Sequence, residues 1–112
     1  MYAETFGLTE PDVPAEFARR VGAVFATEAM ESAGGAMWSH PALSGRDRSI
    51  AIISALVAQG VVDGDRLETH LARAVRAGID QEALEVLMTV LAGYAGYPLA
   101  SRAAEAVQSH FR

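Results

Sequence analysis

The chain has 112 residues, 51% of them hydrophobic and 21% charged, with a formal net charge of -5. This is enough apolar material for one folded domain rather than a disordered segment, although a chain this short gains much from oligomerisation. It has no cysteine, which excludes disulfides, thiol peroxidase chemistry and thiolate metal sites, and its nine cations are all arginine with no basic cluster, so nucleic acid is not an expected partner.

No charged start precedes an apolar stretch, and no apolar run reaches membrane length. The expected location is the cytoplasm, with no membrane partner. Residues 1–13 read as an irregular lead-in, and Asp12 and Pro14 suit the start of a first helix. That helix carries Phe17, Val21, Val24 and Phe25 at i, i+4, i+7 and i+8 and ends near Ser32, before Gly34-Gly35.

Trp38 and Leu43 bracket a connector, Ser39-His40-Pro41-Ala42. Ser44, with Asp47 three residues on, predicts a capped second helix running to about Gln59, where Gly60 stops it. Ile50, Ile52, Ile53, Leu56 and Val57 cover most of its circumference, so this helix is expected to be the most buried. The third helix starts near Asp63 or Asp65 and ends at Gly78. Asp80 caps the fourth, whose apolar side carries Leu84, Leu87, Met88 and Leu91. Gly93 and Gly96 weaken its end, and Tyr94-Ala95-Gly96-Tyr97-Pro98 reads as a break. Pro98 then opens the last helix, with Leu99, Ala103 and Val107 facing inward. No segment shows a period of two. The expected fold is all-α: a single domain over residues 1–112, a bundle of about five helices with short connections that favour antiparallel neighbours.

Few residues carry chemistry. On the third helix Leu67, Leu71, Ala74, Val75 and Gly78 form one apolar stripe, with His70 at its border and Arg66 and Arg73 on its far side. Nearby guanidiniums lower an imidazole's pKa and attract a carboxylate, an arrangement that suits a general base. A boundary histidine bonded to a carbonyl is the plainer reading of the same spacing. Arg48, just before the apolar stretch of the second helix, reads either as an ion pair with Asp47 or Glu31 or as a carboxylate holder. Tyr94 could donate to a developing oxyanion or could simply pack. Trp38 suits a core or interface anchor. His40 and His110 have no evident partner, and the three histidines are too scattered to announce a metal site. No metalloprotease, phosphate-loop, calcium-loop or dinucleotide motif is present.

From about Gly35 onward the chain resembles the carboxymuconolactone decarboxylase family. The resemblance rests on Gly35-Ala36-Met37-Trp38-Ser39-His40-Pro41-Ala42-Leu43, Arg48-Ser49, Leu67 with His70 three residues on, Ala77-Gly78-Ile79, and Tyr94-Ala95-Gly96-Tyr97-Pro98. It covers roughly two-thirds of the chain. It implies an all-helical fold around an antiparallel helix pair, a ring-like trimer or hexamer, and cofactor-free loss of carbon dioxide from a carboxylated lactone. The related alkylhydroperoxidase D group uses two cysteines before the histidine. Asp63 and Arg66 stand there in this chain, so peroxidase chemistry is not expected.

Five polar positions of the decarboxylase pattern are changed. An aspartate and an arginine near the tryptophan become Ala36 and His40. A glutamate four before the histidine becomes Arg66, and a glutamate and histidine on the fourth helix become Val86 and Val90. Trp38, Arg48, His70 and Tyr94 remain. The resemblance therefore implies His70, Arg48 and Tyr94 as catalytic residues, and Arg66, Trp38, His40, Val86 and Val90 as substrate-binding positions around a more apolar pocket. Neither metal nor cofactor is expected. The expected reaction is decarboxylation or isomerisation of a carboxylated lactone-like or hydrophobic natural-product intermediate through an enolate. The alternative is a non-catalytic oligomeric scaffold that keeps the fold.

Overall fold

The computed structural model describes residues 19–25 and 39–112. The chain divides into two compact units, residues 1–42 and 43–112. In the first, residues 19–21 and 23–25 are helical on either side of Gly22, whose φ of 92° interrupts them. Val24 and Phe25 are exposed there, while Phe17 and Trp38 lie outside the described residues.

The second unit holds four helices: α1 (Gly45–Ala58), α2 (Asp65–Arg76), α3 (Gln81–Ala95) and α4 (Tyr97–His110). No strand occurs among the described residues. Several boundaries have a local cause. The Ser44 side chain accepts from the Asp47 backbone N–H at 3.0 Å while the Asp47 carboxylate accepts from that of Ser44 at 3.2 Å. This reciprocal pair satisfies two donors that helix geometry leaves orphaned. Asp80 caps α3 by accepting from Ala83 N–H at 2.8 Å. α1 ends on Gln59 with Gly60 at φ 81°, and α2 ends on Ala77 with Gly78 at φ 95°, a left-handed backbone that glycine adopts without strain. The carbonyl of Gly78 accepts from the Arg46 guanidinium at 3.2 Å, which joins the end of α2 to the start of α1.

The core is one cluster. Ile53 and Val57 of α1 meet Leu67, Leu71 and Ala74 of α2, Leu84, Met88 and Leu91 of α3, and Ala103 and Val107 of α4. Val62 and Ile79 close it from the connecting loops. The most extensive packing is between α3 and α4, followed by α1 against α2. Two side-chain pairs tie the start of α2 to α4: Arg102 with Asp63, and the His110 imidazole with the Glu68 carboxylate. The first is solvent-exposed and contributes about 0–1 kcal/mol.

Three expectations need correction. α1 is not the most buried helix: only Ser49, Ile53 and Val57 are buried, a single i, i+4, i+8 stripe, and Ile50, Ile52 and Leu56 are half-buried at its sides. On α2 the buried sector is rotated towards the polar side, so Arg73 is buried at 4% exposure while Val75 stands 37% exposed. The break expected at residues 94–98 shrinks to one residue. α3 runs through Gly93 and Tyr94 to Ala95, because Leu91 and Ala92 remain buried and hold its last turn against the bundle. Only Gly96, at φ 97° and ψ 148°, leaves helical geometry before α4 begins with Pro98 in its first turn.

Candidate functional site

His70 sits mid-way along α2, half-buried, with its Nδ1 shut off from solvent and without a hydrogen-bond partner. A buried ring nitrogen left unsatisfied is costly, so the boundary-histidine reading, with its bond to a carbonyl, does not describe this nitrogen. The imidazole pKa is lowered from its ordinary 6.5 to about 4. Burial is the largest cause, because it disfavours the charged ring. The Arg73 guanidinium comes next and that of Arg66 last. His70 is accordingly a neutral imidazole throughout the physiological range.

Helix geometry explains the company it keeps. Arg66 lies one turn before His70 and Arg73 one turn after, the spacings at which helical side chains are neighbours. Arg66 is exposed. Arg73 is buried, and its Nη1 donates to the Ser49 hydroxyl of α1 at 3.4 Å. Ser49 is itself fully buried, in the stripe otherwise occupied by Ile53 and Val57. This pairing was only half legible. Arg73 was expected beside His70 on the polar side, but its burial and its contact with Ser49 were not. The one available signal was a serine one turn before Ile53 on the buried face.

The other proposed site residues lie elsewhere. Arg48, on α1, is half-buried and turns back to donate from Nη1 to the Leu43 carbonyl at 2.6 Å. Tyr94 is on the outer face of α3 and 90% exposed. Val86 and Val90 are 58% and 52% exposed on that helix. They line a shallow groove of about 400 Å³ with Ile50, Ile79 and Leu87, at whose rim stand Arg46 and Glu82. A second depression, about 300 Å³, lies between α3 and α4 beside Met88 and Tyr97. Neither concavity includes His70, Arg48 or Tyr94. Helices α2 and α3 are not among the principal packed pairs. The second unit alone therefore brings His70, Arg66, Arg73 and Ser49 together, and keeps Tyr94, Val86 and Val90 on a different face.

His40 belongs to the first unit and is exposed, and its Nδ1 accepts from Ala42 N–H at 3.1 Å, so it holds its own loop. Contrary to expectation, His110 also has a partner, Glu68. Asp63 pairs with Arg102 and Arg66 is exposed, so the places where a peroxidase relative would carry cysteines serve a surface ion pair and a solvated cation. Among the described residues no helix is long and apolar enough to cross a membrane, and no three metal-capable side chains cluster.

In comparison with known families, residues 25–109 match the carboxymuconolactone decarboxylase family. No curated protein and no solved structure matches the chain.

Proposed function

The chain belongs to the carboxymuconolactone decarboxylase family, and from that premise we propose that it is a cofactor-independent acid/base enzyme acting on a carboxylated lactone-like or hydrophobic natural-product intermediate. The observation that carries this reading is the neutral His70 imidazole with a buried, unpartnered Nδ1. A side chain that contributes no hydrogen bond from a buried polar atom has an uncompensated cost, and such costs gather at functional positions.

The chemistry needs few parts. Loss of carbon dioxide breaks one C–C bond, and its electron pair moves into an adjacent carbonyl as an enolate. The net reaction then takes up one proton at carbon. An anionic substrate held near Arg66 raises the His70 pKa from its low resting value, because an opposite charge favours the imidazolium. His70 then takes a proton from solvent and delivers it to the carbanion. Arg66 is exposed and suits the carboxylate; Arg48 is the further residue we assign to carboxylate binding, and Tyr94, on a different face from His70 in one chain, would serve an oxyanion only in a site completed by a second copy.

Self-association belongs to the same proposal. Val86, Val90 and Tyr94 follow one another at i, i+4 and i+8 along the exposed side of α3, an apolar stripe that a second copy of the chain would cover, as in a trimer or hexamer. That stripe also favours the second reading, a non-catalytic oligomeric scaffold, since Val86 and Val90 replace acid/base groups of the family pattern.

A panel of carboxylated lactones and β-keto acids, followed by carbon dioxide release and by deuterium uptake from heavy water, separates the two. The enzyme reading expects turnover of at least one substrate and its loss in His70→Ala, with the melting temperature little changed because no hydrogen bond from Nδ1 is lost. Turnover that survives His70→Ala, or a panel wholly unconverted, favours the scaffold.

A further inference from the structure

The two nitrogens of the His70 ring stand in different surroundings. Nδ1 is closed off from solvent and has no hydrogen-bond partner, whereas Nε2 is not closed off in this way, and the residue as a whole is half-buried. The tautomer of a neutral imidazole is ordinarily set by the hydrogen bond that its other nitrogen makes. Here burial takes the place of that bond. A proton on Nδ1 would be a donor with neither water nor acceptor, and orphaned N–H groups are rarer in native interiors than under-satisfied acceptors. A lone pair at the same position is the lesser loss. Nearby carboxylates are used elsewhere: Asp47 accepts in the cap of α1, Asp63 pairs with Arg102, and Glu68 with His110.

We propose that the resting His70 ring carries its single proton on Nε2, and that this N–H, on the accessible side of the ring, is a neutral donor that receives an oxygen anion, in the first place a carboxylate. The proposal rests for its function on the reading of His70 as the proton-transfer group, and names the atom that does the work.

A neutral N–H donor draws an oxygen anion without requiring a full charge in a partly buried place. A ligand with donors alone finds no lone pair on that side of the ring. The second proton of an imidazolium has to go to Nδ1, where no acceptor waits. The ring therefore resists protonation, in keeping with burial as the leading cause of its low pKa, until an anion lies beside Nε2. The imidazolium then breaks its Nε2–H bond, and the electron pair of the enolate takes that proton to form the new C–H bond. The ring is left neutral with its remaining proton on Nδ1, and exchange with solvent restores the resting form.

The test is NMR of the ring nitrogens in the isotope-labelled full chain at about pH 8, where an ordinary imidazole is uncharged. His40→Gln and His110→Gln assign the signals, and the urea-unfolded chain supplies the solvent-averaged tautomer mixture as reference. Folded His70 is expected to show Nδ1 as a bare nitrogen and Nε2 as a protonated one, with the two resonances further apart than in the unfolded chain. A separation no larger than the unfolded one, or the reverse assignment, overturns the proposal. Benzoate and benzylammonium then probe the ligand class. Benzoate is expected to shift the Nε2 resonance more than that of Nδ1, and benzylammonium to shift neither. No response to benzoate, or an equal response to both, overturns the anion assignment. The tautomer is read without turnover, so a failure to find a substrate leaves it standing, and an averaged tautomer leaves the assignment of His70 as a proton-transfer group untouched.

Discussion

Leu71→Ala is expected to destabilise the fold by about 2–5 kcal/mol, read as a lower urea midpoint in circular dichroism at an unchanged slope. Leu71 is wholly buried in the cluster, on the helix that packs against both α1 and α4. Truncation removes its transfer free energy and leaves a void between helices that cannot collapse without losing their other contacts. The loss is large against the roughly 5–15 kcal/mol total stability of a typical domain. Leu71 also directly follows His70. A loosened α2 would let the imidazole reach water, so the variant should raise the His70 midpoint as well. A loss below about 1 kcal/mol would mean that α2 is not anchored where the structure puts it.

Gly96→Ala and Gly93→Ala are expected to act in opposite directions. Gly96 joins α3 to α4 alone, at φ 97° and ψ 148°. Space is not the obstacle, since an added Cβ would meet nothing nearer than Pro98 Cδ at 3.9 Å. The obstacle is the backbone, which L-residues scarcely adopt, at a cost of about 1–3 kcal/mol. With no second linker residue to absorb the change, relief requires unwinding a helix end. Gly93 is helical and an added Cβ there meets nothing within 4 Å. Alanine at that position should stabilise by roughly 0.4–1 kcal/mol, because it restricts the unfolded chain and favours helix. Thermal melts of the two variants read both signs at once. Equal effects would place the helix break elsewhere.

The helix ends were the most legible part of this protein. Ser44, Asp80, Gly60 and Gly78 each act through a local rule, a side chain or φ angle that meets orphaned backbone groups, and local rules survive without knowledge of the neighbours. The inward residues of α3 and α4 were legible for a similar reason: Leu84, Met88, Leu91, Ala103 and Val107 repeat at helical spacing. Gly93 misled because its propensity cost of about 1 kcal/mol is smaller than the packing of the turn around it. Arg73 and Val75 exchanged expectations because periodicity treats an arginine as outward. It cannot register that a serine on another helix will receive it. Val86, Val90 and Tyr94 show a harder limit. Their positions on one stripe of α3 are plain from spacing, but spacing alone does not tell an apolar stripe that packs into the core from one that stands exposed, as this one does. Trp38 lies outside the described residues, so its role as an anchor rests on the sequence.

His70 also leaves a signature in stability. The unfolded chain protonates its imidazole near the ordinary 6.5, while the folded one waits until about 4. The folded state is therefore not penalised above pH 6.5, and it loses stability as pH falls from there towards 4, because the unfolded chain binds the proton first. The ring is partly exposed, so solvent screening reduces this loss. His70→Gln should flatten that part of the profile. The most direct test of the account is the titration midpoint of the His70 ring in the unmodified protein. The account predicts a midpoint near 4. A midpoint at the ordinary histidine value would mean a solvated, unremarkable side chain, and would contradict both the neutral resting state and the role built on it.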